Sequence, residues 1–257
     1  MIYKYFRYLF AAKNAHGIHS PFLFDLYRST LQKDQKNNPH FGNIEAVRQK
    51  MIGDSSTITI TDFGAGSKVN SSNQRKVRDI AKNSKKPAKF GRLFYRLIQK
   101  FGSNTVVDLG TSLGISTLYM AQARPQATVI TFEGCPQTIQ IAEKNFEECG
   151  ATNIETVVGN IDQTLPERLK NLSQIDFAFF DANHRLEPTL RYFETCLAKS
   201  HDQSVFVFDD IHWSDDMEAA WDTIKAHPRV QVTVDLFFVG IVFFRPNQAK
   251  EHFTIWY

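Results

Sequence analysis

Asn104-Thr-Val-Val-Asp108-Leu-Gly110-Thr111-Ser112-Leu-Gly114-Ile115-Ser-Thr-Leu-Tyr-Met-Ala121 is the stretch that decides the fold. Its first part is short, apolar and rich in valine, as a strand buried on both faces should be. Its last part reads as a helix. Between them, Gly110 and Gly114 make a turn in which a ligand can come close to the backbone. The start of the following helix offers unpaired N–H groups. A strand, a glycine turn and a helix in that order open a parallel α/β sheet.

Working outward, apolar runs recur at 127–133, 154–158, 175–181 and 204–210. Helical patterns at 115–124, 137–149, 163–171, 187–199 and 215–227 fit between and after them. Two final runs, 230–237 and 240–245, are separated only by Phe238 and Val239. So short a link holds no crossover helix, so these two pair antiparallel. The expected fold is α/β: a Rossmann-like, seven-stranded, mostly parallel sheet with an antiparallel C-terminal hairpin. Residues 1–84 form an N-terminal helical extension with helical patches at 3–12, 22–33 and 43–52, and 85–257 form the main domain. The polar junction SSNQRKVRDIAKNSKKPAKF is read as a loop.

The chain has 257 residues, enough for one α/β domain with an added segment. With 30 basic against 27 acidic residues, the charge argues for neither nucleic acid nor a membrane surface. The 22 phenylalanines point to an aromatic core. Cys135, Cys149 and Cys196 are odd in number and lack metal-ligand spacing, which suits free thiols in a reducing, cytoplasmic setting. The opening run carries Lys4, Arg7 and Lys13 and reads as an amphipathic helix, not a signal peptide. No stretch approaches transmembrane length.

Two strand ends carry the chemistry. One is Asp181-Ala-Asn183-His184, the other Asp209-Asp210-Ile-His212-Trp213-Ser214. Ligands of open α/β sheets bind outside the carboxyl ends of the strands, so both should face one cleft. Three carboxylates converging there are costly without a cation, and Mg²⁺ is a hard ion that takes oxygen ligands. Other readings stay open: Asp181 as a helix cap, and Asp209-Asp210 as caps or substrate ligands without metal.

The turn Asp108-x-Gly110-x-x-x-Gly114 resembles the acid-x-Gly-x-x-x-Gly signature of class I S-adenosylmethionine (SAM)-dependent methyltransferases, whose sheet also ends in a hairpin. It is not a dinucleotide fingerprint, because Ser112 stands where a second glycine belongs. The resemblance implies a SAM site built from Asp108 near the methionine moiety and the turn Gly110, Thr111, Ser112 and Gly114. It places Glu133 and Gly134 at the ribose and Gly159, Asn160 and Ile161 at the adenine, with Asp181 also facing the cofactor. The strand-end acids resemble those of the metal-dependent O-methyltransferases of the catechol type. That likeness implies Asp181, Asp209 and Asp210 as Mg²⁺ ligands. His184 falls where those enzymes carry a lysine base, and its ordinary pKa suits proton removal near neutrality. Asp210 stands where they carry Asn. Some sugar O-methyltransferases, with D-x-x-H and a carboxylate pair, are more similar. The motifs HGIHSPF (16–22) and DDIHWS (209–214) also resemble those of a group of bacterial methyltransferases.

The expectation is therefore a SAM-dependent methyltransferase acting on a small-molecule acceptor, at a hydroxyl, with Mg²⁺ as an option. The alternative is a non-catalytic SAM-fold binding protein. A homodimer is compatible with the fold. Thr61-Asp62-Phe63-Gly64-Ala65-Gly66-Ser67 imitates the glycine turn, but no amphipathic helix follows, so it reads as a loop closing over the cofactor. The N-terminal segment is expected to form a lid or one wall of the acceptor pocket. Trp213, Trp221, Phe237 and Phe238 are candidates for an aromatic lining.

Overall fold

The computed structural model describes residues 2–14, 17–34, 36–61, 73–83 and 86–257. The chain opens with α1 (Ile2–Ala11), α2 (Pro21–Leu26, continued by a π-helical turn over Tyr27–Leu31) and α3 (Pro39–Gly53). The Ser20 hydroxyl accepts from the Leu23 N–H at 3.5 Å and Pro21 opens the first turn, as Ser-Pro dictates. A small antiparallel pair, β1 (Thr57–Thr59) and β2 (Gln74–Lys76), precedes α4 (Val77–Asn83) and α5 (Ala88–Phe101). Then strands and helices alternate: β3 (Thr105–Leu109), α6 (Ile115–Ala123), β4 (Thr128–Glu133), α7 (Pro136–Glu148), β5 (Ile154–Val158), α8 (Ile161–Leu169), β6 (Ile175–Phe180), α9 (Leu186–Leu197), β7 (Ser200–Asp209) and α10 (Asp215–Ala226). The chain closes with β8 (Val232–Asp235), β9 (Val239–Phe243) and β10 (Glu251–Thr254).

The main sheet has the order β10-β8-β9-β7-β6-β3-β4-β5. Strands β3 to β7 run parallel, and β9 pairs antiparallel with both β7 and β8, as the short link requires. The expected seven strands become eight, because residues 251–254 add a parallel edge strand beside β8. The expected junction loop also holds more structure than its polarity suggests. Residues 74–83 form β2 and α4, and α5 begins at Ala88. Its apolar stripe of Phe90, Leu93, Phe94, Leu97 and Ile98 is fully buried, and the Phe94 ring lies 4.5 Å from that of Phe179 on β6. Gly102 in the left-handed region ends α5.

Helices cover both faces. Side chains of α2, α3, α5, α6 and α7 join one core cluster, and those of α8, α9 and α10 join another on the opposite face. Burial on both sides explains why β6 is apolar at nearly every position. The chain's two ends are tied together: the Tyr8 hydroxyl donates to the Ile255 carbonyl at 2.5 Å, and the Lys13 N–H to the Thr254 carbonyl at 2.9 Å. Among the described residues no helix is long and apolar enough to cross a membrane.

Candidate active site

β3 lies between β4 and β6, so the chain leaves it in one direction and returns on its other side. This switch point is where an open sheet leaves a crevice at its carboxyl ends. A cavity of about 720 Å³ sits there. Gly110, Ser112, Glu133, Gly134, Asn160, Ile161, Asp181, His184, Asp209 and Asp210 all line it. The structure thus brings most of the expected residues together.

The glycine turn is stitched to β4. The Gly110 and Thr111 N–H groups both donate to the Phe132 carbonyl, at 3.0 and 3.1 Å. Gly110 adopts φ 107°, and a Cβ there would overlap the Asp181 carbonyl, so only glycine fits. The Ser112 N–H donates to Glu133 Oε2 at 2.9 Å, and the Cys135 N–H donates to Glu133 Oε1 at 2.9 Å. A carboxylate held at both oxygens faces the cavity, ready to accept hydroxyl donors. Asn160 caps α8, its Oδ1 accepting the Asp162 N–H at 3.0 Å, and its side chain borders the same cavity.

Four expected cofactor residues are not on the cavity wall. Asp108 is fully buried behind the turn, where its Oδ2 accepts from the Thr117 and Thr131 hydroxyls at 2.6 and 2.8 Å. Burial pushes its carboxyl up to about 6 despite those two hydrogen bonds. Thr111 shares a hydrogen bond with Thr131, Oγ1 to Oγ1, at 2.6 Å. Gly114 is held for packing: a Cβ there would overlap the Phe146 ring on α7. Gly159 joins strands, its N–H donating to the Glu133 carbonyl at 2.9 Å.

At the opposite wall, Lys86 is the residue that sequence reasoning missed. Its Nζ lies 3.5 Å from Asp181 Oδ2 and also contacts Asp209 Oδ2. His184 Nε2 lies 3.4 Å from Asp181 Oδ1. Burial opposes ionisation of Asp181, yet Lys86 and His184 together hold its carboxyl below the usual carboxylate range. Asp209 moves the other way: burial and the neighbouring Asp181 charge push it well above that range. Asp210 is pushed up by burial. Burial disfavours the charged form of both Lys86 and His184, but the surrounding carboxylates outweigh it and raise both. Asp181 is thus the acid held in its charged form, with Lys86 and His184 beside it. Asp181 is no helix cap, since α9 starts after Arg185 without a side-chain cap.

The donor set does not fit the expected Mg²⁺. An ammonium stands between Asp181 and Asp209, and among the described residues no three His, Cys, Asp or Glu side chains are grouped to hold a metal ion.

Backbone strain gathers at the site. Of five non-glycine residues with positive φ among the described residues, Ser112, Asn183, His184 and Asp210 line the cavity, and Phe237 adjoins the lining residue Phe238. Such conformations are costly and persist where the surroundings enforce them. The Asp210 N–H, donating to the Phe238 carbonyl at 2.7 Å, is one such tie.

The aromatic candidates divide. Phe238 lines the cavity, joined by Phe90 of α5, which the sequence did not single out, and Trp213 sits 6.0 Å from the His184 ring. Trp221 is core, packed against Gly240 and Phe208. Phe237 is buried between Tyr5 and Tyr8 of α1 and the His212 ring. His212 is itself structural, bridging Glu218 at 2.9 Å and Asp235 at 2.7 Å. Of the N-terminal extension over 1–84, the described residues before Ile60 line no part of the cavity, whereas Ile60, Thr61, Arg75, Ile80 and Asn83 do. Ile18 joins the core and Phe22 packs on Phe243. His16 and residues 62–67 of the imitation motif lie outside the described residues, although Ile60, Thr61 and Arg75 border the cavity.

Sheet order, glycine turn and cavity define the class I methyltransferase fold. Residues 107–211 match the model of a methyltransferase domain. Catechol O-methyltransferase of Niastella koreensis is 30% identical over 124 residues, covering 47% of this chain and 55% of that protein. Human transmembrane O-methyltransferase is 33% identical over 79 residues, covering 30% of this chain and 27% of that protein. The chain thus spans about half, or less, of the length of these curated relatives. An O-methyltransferase from Bacillus cereus in complex with S-adenosylhomocysteine (SAH) superposes with a TM-score of 0.60 at 20% identity, covering 85% of this chain and 99% of that one. SAH-bound methyltransferase PaMTH1 of Podospora anserina gives 0.60 at 13%, covering 89% and 97%.

Proposed function

We propose that the chain transfers a methyl group from SAM to a hydroxyl of a small acceptor with an apolar body. One observation carries this reading: the glycine turn with its anchored Glu133 and the pair His184–Asp181 open into the same cavity. Gly110 lets a ligand approach the backbone, Glu133 accepts from ribose hydroxyls, and Asn160 and Ile161 border the adenine. SAM, when bound, supplies a sulfonium-bound methyl group, which passes to the acceptor oxygen as the S–C bond breaks and SAH is left.

His184 takes the proton of the acceptor hydroxyl, and Asp181 orients the imidazole and stabilises its charged form. Phe90 and Phe238 offer apolar surface to the acceptor's body. Closing both reactants into one cavity supplies much of the rate by orientation. No step runs through a metal, because Lys86 meets the carboxylates. The likeness to O-methyltransferases supports oxygen as the target. The free thiols, two of them buried, fit a reducing, cytoplasmic setting.

Calorimetric titration with SAH tests the cofactor half. Wild type binds, and Glu133→Ala loses about a hundredfold or more, as expected for two hydroxyl hydrogen bonds to a charged acceptor. Absence of binding by folded wild type ends the reading. Binding without turnover on any hydroxylated acceptor in a phenol, catechol and sugar panel favours the non-catalytic alternative.

A further inference from the structure

Three acidic side chains at one end of the cavity, Asp181, Asp209 and Asp210, call for a positive charge, and the chain supplies it. Lys86 immediately precedes Pro87, whose fixed φ of −53° leads directly into α5. Its carbonyl accepts from Arg48 Nη2 at 3.0 Å, which pins the backbone from α3. Its ammonium stands 4.8 Å from the centre of the Phe179 ring on β6, over the ring face. Its side chain is only 15% exposed. Backbone anchor, proline and aromatic floor all point the same amine at Asp181 and Asp209. The charged groups facing it are Asp181 at the end of β6, Asp209 and Asp210 at the end of β7, and His184 beyond Asp181.

We propose that Lys86 is a built-in replacement for a divalent cation, holding Asp181 and Asp209 together and presenting positive charge to the acceptor oxygen. An octahedral ion needs several oxygens close around it, and an ammonium lodged on the same carboxylates denies it both the space and the negative charge. The site then works with its own cation and is indifferent to chelators. The role at the acceptor oxygen rests on the methyltransferase reading; the competition with metal does not.

The test is Mn²⁺ binding, followed by electron paramagnetic resonance and calorimetry, with SAH binding measured on the same samples. Wild type shows no site for Mn²⁺ through the millimolar range. Lys86→Ala gains one, at least about tenfold tighter, and Asp209→Asn placed on top abolishes it. Lys86→Arg, which keeps the charge, gains none. Mn²⁺ binding by wild type that disappears in Asp209→Asn overturns the proposal, because Lys86 then yields to the metal. So does a folded Lys86→Ala protein that gains no site. If Lys86→Ala fails to fold, the comparison of wild type with Asp209→Asn decides alone. Failure of SAH to bind any variant sinks the methyltransferase reading and leaves the Mn²⁺ result standing.

Discussion

Asp108 and Glu133 are both acidic residues at strand ends, yet the structure gives them opposite tasks. Glu133 faces the cavity; Asp108 is sealed behind it. With its carboxyl pushed up to about 6, against an ordinary 3.8, the folded chain holds a proton there that the unfolded chain has released. Stability therefore falls as pH rises from about 4 to about 6 and stays lower above, by about 3 kcal/mol at most. Asp108→Asn removes the charge and still accepts from the two threonines. It should melt several degrees higher than wild type near pH 7, with the gap closing toward pH 4, in calorimetric scans. Its SAH affinity should fall far less than that of Glu133→Ala, contrary to the resemblance, which sets Asp108 beside the methionine. His184 gives a second residue-scale prediction. It must be neutral to take a proton, and its carboxylate neighbours raise its pKa above 6.5. Turnover should rise with pH along a limb centred above that value. His184→Ala should lower kcat by about a hundredfold or more while SAH binding survives. Asp210→Asn, which removes one of the raising charges, should shift the limb toward lower pH.

At the scale of elements, α5 ties the site to the sheet. It lies across β6, seats Lys86 at its start, and packs so closely on α6 that a Cβ at Gly91 would overlap the Tyr119 ring. Gly91→Ala should destabilise the fold by about 1–3 kcal/mol in denaturant titrations, because the Tyr119 ring must leave its place. The elements legible in the sequence are those enforced by local physics. Gly110 in its turn, the valine-rich β3 and the Ser20-Pro21 cap announce themselves over a few residues. α5 is hidden because a lysine-rich run precedes it and draws attention to solvent, although its buried stripe at 90, 93, 94, 97 and 98 has helical spacing. β10 is hidden because four half-exposed residues carry almost no apolar pattern. Lys86 cannot be chosen locally among Lys82, Lys85 and Lys89; only the fold carries it to acids far along the chain. Likewise Gly114 fits a cofactor motif in sequence, and only the position of Phe146 shows its packing role.

At the scale of the molecule, the two chain ends hold each other through Tyr8, Lys13, Thr254 and Ile255, and α1 reaches the site's edge through Phe237. Tyr8→Phe should cost about 1 kcal/mol and speed hydrogen exchange at 2–13 and 251–257 together, because one latch protects both. That latch also has a history in time. Tyr8 is separated from Ile255 by 247 positions, so a ribosome adding about 5–20 residues per second leaves on the order of ten to fifty seconds between them. Throughout that interval the aromatic side chains of residues 2–11 have nothing to pack on, and so short a segment holds little helix by itself. The nascent chain must keep Tyr5 and Tyr8 from other partners until β8 to β10 emerge. Chaperone demand on this protein should therefore fall on its first helix and rise when translation is slowed.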